Sequence, residues 1–220
     1  MPEIVVFLGP SLDREKALEI LAADYRPPAA RGDILDAASQ GARIIVLIDG
    51  VFFQDCSVGH REILEAMKMG TIVIGASSMG ALRAAELDTL GMEGVGEIYR
   101  MYRDGELVSD DEVALVFDPE SFIPLSEPLI NIRFTVRRAV EEGILGKEDA
   151  AILLEQAGSI YFPDRTYEQI CEASREMIDL RALKNFMAFI RADKIDQKGI
   201  DTIAALQRAA VLAGEYGRSH

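Results

Sequence analysis

Apolar residues change their spacing part-way along this chain, and that change sets the expected architecture. Ile4 to Leu8, Ile44 to Ile48 and Thr71 to Ile74 form short, near-continuous apolar runs. Strands buried on both faces of a parallel sheet read this way, whereas half-solvated strands alternate. The intervening stretches, Asp13 to Ala23, Asp33 to Gln40 and Gly59 to Lys68, carry helical periodicity and have the length of crossover connections. A fourth strand is expected at Glu112 to Phe117, behind the acidic, turn-like Asp104-Gly105-Glu106 and Asp110-Asp111. From Leu129 onward the strand signal disappears. Ile132, Val136 and Val140, then Ile152, Leu153, Ile170, Met177, Ile178, Leu183, Phe186, Phe189 and Ile190 recur at helical spacing, and a last helix is predicted from Asp196 or Lys198 to about Ala213. Phe117-Asp118-Pro119-Glu120 and the prolines at 124 and 128 interrupt both periodicities. The predicted fold is α/β. It has a Rossmann-like, doubly wound, mainly parallel sheet over residues 1–128 and an all-helical subdomain over residues 129–220.

Composition narrows the classes of function. The 37 acidic residues against 23 basic ones leave a formal charge of −14. No Lys/Arg surplus exists to displace phosphate counterions, so nucleic acid is not an expected partner. There is no long apolar span and no signal-peptide pattern, so no membrane is expected either. Cys56 and Cys171 lie far apart and form no metal-type or redox-type pair. A reducing cytoplasm is the default setting, without a structural disulfide. No Walker-type loop occurs and the acidic residues lack metal-ligand spacing, so neither cofactor nor metal is expected.

The candidate chemistry gathers where strands end. In open parallel sheets the functional crevice lies outside the carboxyl ends of the strands. Here those ends lead into Gly9-Pro10-Ser11, Asp49-Gly50 and Gly75-Ala76-Ser77-Ser78-Met79. The last reads as strand, tight turn, helix, which can hold a serine hydroxyl beside the free N–H groups of a helix start. Its spacing, Gly-x-Ser-x-x-Gly, only approximates a nucleophile elbow, and Ser78 as a simple helix cap beside close-packing glycines is the plainer reading. His60 is one of two histidines, the other being His220. Imidazole is the side chain whose ordinary titration falls nearest neutrality, so a general base would be His60. Asp49 could orient it, or could merely satisfy N–H groups in its own turn. The order Asp49, His60, Ser77 is compatible with a hydrolytic triad, because triads are recognised by geometry. Cys56, four residues before His60, is a rival nucleophile. Arg83 and Glu86, at i and i+3, are either an intrahelical ion pair or a substrate clamp and its support. Asp33 reads as the cap of its helix. The Gly9-Pro10-Ser11 and Ser77-Ser78 turns could instead bind a phosphate or nucleotide.

Phe7-Leu8-Gly9-Pro10-Ser11-Leu12, Arg31-Gly32-Asp33, Ile48-Asp49-Gly50-Val51-Phe52, His60-Arg61-Glu62-Ile63-Leu64, Ser77-Ser78-Met79-Gly80-Ala81-Leu82-Arg83-Ala84-Ala85-Glu86-Leu87 and Gly91-Met92-Glu93-Gly94-Val95-Gly96 together resemble the TfuA family. The resemblance runs from about Ile4 to Arg133. It implies association with a YcaO-type enzyme that makes backbone thioamides, and hydrolysis of a thiocarboxylated, ubiquitin-like ThiS carrier with release of sulfide. It implies catalytic roles for Ser77, His60, Asp49 and Arg83. Substrate contacts would come from Gly9, Pro10, Ser11, Gly50, Gly75, Ser78, Met79, Glu86 and Arg133, the slim glycine-type tail of the carrier suiting a narrow slot. Ser77 would attack the carbonyl with His60 as base; direct attack by water, with Ser77 and Ser78 as hydrogen-bond donors, fits equally. The competing expectation is a noncatalytic adaptor that binds a YcaO-type enzyme through its helical half.

Overall fold

The computed structural model describes residues 4–51 and 56–217. Phe52 of the third motif and His220 lie outside the described residues. The elements, in chain order, begin with β1 (Ile4–Phe7), α1 (Arg14–Ile20), β2 (Asp24–Arg26), α2 (Asp33–Ser39) and β3 (Ile44–Leu47). They continue with α3 (His60–Lys68), β4 (Ile72–Ala76), α4 (Met79–Leu87), β5 (Glu93–Val95) and α5 (Glu97–Arg103). Helices α6 (Leu129–Glu141), α7 (Lys147–Ser159), α8 (Tyr167–Ala173), α9 (Leu180–Asp193) and α10 (Gln197–Gly217) follow. All strands are parallel, in the order β2-β1-β3-β4-β5. The α/β, doubly wound expectation therefore holds.

The apolar runs become the three central strands because both faces of the sheet are covered. Val5, Phe7, Ile45, Leu47 and Val73 point into one core with Ile34 of α2, Ile63 of α3 and Ala84 of α4. Val6, Ile44, Val46 and Ile74 point into the other, with Ala17 of α1 and Ala205, Leu206, Ala209 and Leu212 of α10. The edge strands β2 and β5 are only three residues each, and Asp24, Arg26 and Glu93 make them polar, so they leave no apolar run to read. No strand forms at Glu112 to Phe117. Asp110–Glu112 is a short 3-10 turn, and Phe117 makes an isolated antiparallel bridge to Pro124. Val113 and Ala114 are buried, so the apolar character there reflects core burial rather than sheet pairing.

By contacts the chain divides into two compact units, residues 1–110 with 198–220, and residues 111–197. This division differs from a single cut at 128/129, because α10 returns to cover the sheet of the first unit. The second unit has its own core, built on Ile132, Val136, Leu153, Ile170 and Phe186. Its buried Arg165 is fully engaged, donating to the carbonyls of Ala157 (2.9 Å) and Ile160 (3.0 Å) and to the Asp111 carboxylate (2.6 Å).

Candidate functional site

In this strand order the crossovers change direction between β1 and β3, and a crevice is expected at their carboxyl ends. The chain fills it with its own carboxylate. Asp49, 3% exposed, accepts hydrogen bonds at Oδ2 from the Gly9 N–H (2.9 Å) and the Ser11 N–H (3.1 Å). Its Oδ1 accepts from Ser11 Oγ at 2.6 Å and lies 3.9 Å from Nζ of Lys198, itself 2% exposed. The backbone donors and hydroxyl of Gly9-Pro10-Ser11 that a phosphate would need are thus spent on Asp49. Gly9 is needed because a Cβ there would stand 2.5 Å from Pro28 Cγ.

The turn from β4 to α4 has the strand-turn-helix shape expected, and Ser77 is held at φ 66°, a left-handed conformation unusual for a residue with a Cβ. Its hydroxyl is aimed inward. Ser77 is 0% exposed and donates to the Lys198 carbonyl at 2.9 Å. Two N–H groups beside it also have acceptors, Ser78 bonding the Ala76 carbonyl (2.8 Å) and Gly80 the Ile48 carbonyl (3.1 Å). Ser78 occupies the N-cap position of α4 but makes no side-chain capping bond. The glycines serve approach of helix to sheet. A Cβ on Gly80 would come within 1.7 Å of the Leu47 carbonyl oxygen, and one on Gly75 within 2.1 Å of the Gly80 oxygen. Met79 is buried over Gly50, where a Cβ would meet its Cγ at 2.9 Å.

His60 opens α3 and belongs to a different cluster. The Glu62 carboxylate accepts from the Gly59 N–H and the Gly32 N–H, each at 2.8 Å, tying the loop before α2 to the start of α3. Gly32, not Asp33, takes the N-cap position of α2; the Asp33 carboxylate turns back to the Ala30 N–H at 2.8 Å. His60 Nε2 lies 2.6 Å from Glu86 Oε2, and Arg83 Nη1 donates to that same oxygen at 2.7 Å. Arg83 Nε donates to the Val58 carbonyl at 2.8 Å, which fixes the guanidinium. An ionised carboxylate only accepts, so Nε2 carries a proton and Nδ1 is the nitrogen left to act as base. The His60 side chain is 52% exposed. Beside it a cleft of about 340 Å³ is lined by Arg83, Glu86, Met79, Leu82, Ser57 and Val108, among others.

The structure therefore does not bring Asp49, His60 and Ser77 together. Among the described residues no hydrogen bond joins His60 to either of the other two. Helix geometry explains this: Glu86 lies eight residues beyond the N-cap Ser78, about 12 Å along the axis. The carboxylate serving His60 is Glu86. A family model described as TfuA-like protein matches residues 49–166, more than half of the chain. The chain belongs to the TfuA-like family. No curated protein matches it.

The span matching the TfuA-like family includes Asp49, His60, Ser77, Arg83, Glu86 and Arg133, while Gly9, Ser11 and Lys198 fall outside it. Arg133 lies in the second unit, where Nε and Nη2 grip the two oxygens of Glu112 at 2.8 and 2.7 Å, and that pairing holds its guanidinium firmly charged. Cys56 is exposed and free, and its carbonyl accepts from the Arg31 N–H at 2.7 Å. Sequence reasoning missed Lys198, Asp201 and Thr202. Asp201 Oδ2 accepts the Ile98 N–H at 2.7 Å near the start of α5, and Thr202 Oγ1 donates to the Lys198 carbonyl at 2.8 Å. A signal was present. These three polar residues continue, at i, i+3 and i+4, the buried stripe that Ala205, Leu206, Ala209 and Leu212 complete.

Proposed function

We propose that this TfuA-like protein hydrolyses the C-terminal thiocarboxylate of a ubiquitin-like, ThiS-type carrier and so supplies hydrosulfide to a YcaO-type enzyme. The observation that carries the reading is the His60–Glu86–Arg83 triangle, in which one carboxylate holds both a base and a cation, with Glu86 and Arg83 lining an open cleft. Family membership supplies the class of substrate. Water loses a proton to His60 Nδ1 as its oxygen bonds to the thiocarboxylate carbon. Glu86 steadies the imidazolium, and Arg83 offsets the negative charge that builds on the tetrahedral intermediate. The C–S bond then breaks and the sulfur leaves with the proton from His60. One thiocarboxylate and one water thus give one carboxylate and one hydrogen sulfide. Neither Ser77 nor Cys56 is needed as a nucleophile. The setting proposed is cytoplasmic, where Cys56 and Cys171 stay reduced.

The decisive assay incubates the purified chain with a thiocarboxylated ThiS-type carrier, without a YcaO-type enzyme or ATP, and measures sulfide. Release above buffer that falls at least ~100-fold in His60→Gln is the expected result, the magnitude being that of a lost general base. Release at the buffer rate by folded chain would overturn hydrolysis in favour of a noncatalytic adaptor of a YcaO-type enzyme.

A further inference from the structure

The helical second unit carries a groove along α9. Three cavities, of about 510, 410 and 630 Å³, follow one another there. The first and second share Glu168, Met187 and Arg191, and the second and third share Glu172, Arg175 and Leu180, so they form one continuous trough between α8 and α9. Leu183 and Met187 line its floor together with Cys171, whose thiol burial pushes up to about 11 with help from Glu168, leaving the floor uncharged at neutral pH. Leu125 at one end and Leu180 at the other are 60% and 52% exposed.

The two walls differ in charge. On α9, Lys184 and Arg191 stand seven residues apart on one flank. Neither has an ion-pair or hydrogen-bond partner among the described residues. On α8, Glu168 is likewise without one, whereas Arg175 is engaged by Glu172 and Lys194 by Glu127. The walls are helices whose main chain is satisfied internally, and the only extended pairing described in this unit is the isolated Phe117–Pro124 bridge. An incoming segment finds no strand edge to join and must satisfy its own backbone, which selects a helix. Helix α9 has 14 residues, about 21 Å, and sets the matching length.

We propose that this groove docks an amphipathic α-helix of a partner protein, its apolar stripe on the floor, acidic side chains at i and i+7 against Lys184 and Arg191, and a basic side chain against Glu168. Paired flanking charges of this kind set register and orientation when helices pack. The chain's net charge of −14 opposes a second copy as the occupant. Glu168 and Glu172 beside an apolar floor oppose a nucleic-acid backbone. The proposal stands independently of the reaction assigned to the first unit.

A fluorescein-labelled synthetic helix of about four turns, with leucine at the a and d positions, glutamate on one flank and lysine on the other, tests this by anisotropy against the full chain. Saturable binding is expected, weakened at least ~10-fold in the double variant Lys184→Glu/Arg191→Glu, whose thermal midpoint should match wild type because both positions are exposed. A peptide with lysine on both flanks, which meets the reversed α9 wall and still faces Glu168 with a cation, should recover affinity for the double variant. Absence of binding, charge reversal without effect, or failure of the two-lysine-flank peptide to rescue overturns the proposal. So does sedimentation showing a wild-type dimer that the double variant dissociates, which would make the occupant a second copy.

Discussion

At the residue scale, the site turns on how carboxylates are spent. Asp49 is consumed by Gly9, Ser11 and Lys198, while Glu86 is shared by His60 and Arg83 at the surface. Glu86→Gln keeps the shape but removes the charge that steadies a protonated imidazole. Sulfide release is expected to fall ~10-fold or more, while the thermal midpoint moves little, since the amide oxygen of the replacement still accepts from Arg83, whose Nε stays bonded to the Val58 carbonyl. Arg83→Lys keeps a cation but cannot reproduce the Nε bond to the Val58 carbonyl, so a misplaced charge should also cost turnover. Ser77 gives the opposite contrast. Ser77→Gly relieves the positive φ and loses one hydrogen bond, effects of about 1 kcal/mol each and of opposite sign. Ser77→Ala keeps the strain and loses the bond, so it should be the less stable of the two by ~1 kcal/mol. Both should retain turnover; loss of sulfide release in a folded Ser77→Gly protein would restore serine as the nucleophile.

At the element scale, the approach of α4 to the sheet leaves no room for side chains. Gly80→Ala would drive a methyl group into the Leu47 carbonyl, and backbone on both sides must move, which costs several kcal/mol. The expected outcome is insoluble chain or a collapse of the thermal midpoint. Gly158 in α7 has nothing within 4 Å of the added Cβ, so Gly158→Ala should raise the midpoint slightly, by up to about 1 kcal/mol of helix propensity. Equal effects of the two substitutions would contradict the packing described.

At the scale of the whole molecule, α10 covers one face of the sheet, and Asp201 and Lys198 at its start bind groups from earlier in the chain. A chain ending at Asp196 exposes the core residues Val6, Val46 and Ile74, so it should lack a cooperative thermal transition for the α/β unit. Alkali offers a second test, one tyrosine in each unit. Burial raises the Tyr25 phenol to about 12 and raises Tyr167 as well. A raised folded-state pKa means stability is fully present below the unfolded value near 10 and is lost as pH rises through the folded value. Stability should therefore be flat through neutrality and fall above about pH 10. Tyr25→Phe should lessen that fall in a chemical-denaturation series, despite losing its bonds to the Ala17 and Leu21 carbonyls. No helix among the described residues is long and apolar enough to cross a membrane.

The sequence by itself determined the three central strands, because strands buried on both faces must be apolar at every position, and it determined the helical periodicity after Leu129. It also singled out His60, Arg83, Glu86 and the turn around Ser77. It did not show the edge strands, which are short and polar because their outer sides are unpaired. Nor could spacing along the chain decide which carboxylate serves which partner. Asp49 is eleven residues from His60 and Glu86 twenty-six, yet β3 delivers Asp49 to the crevice beside β1 while one flank of α4 carries Glu86 to the imidazole. The tertiary structure alone decided that Lys198 would stand beside Asp49. Burying that cation requires a counter-charge, and only the fold brings one within reach.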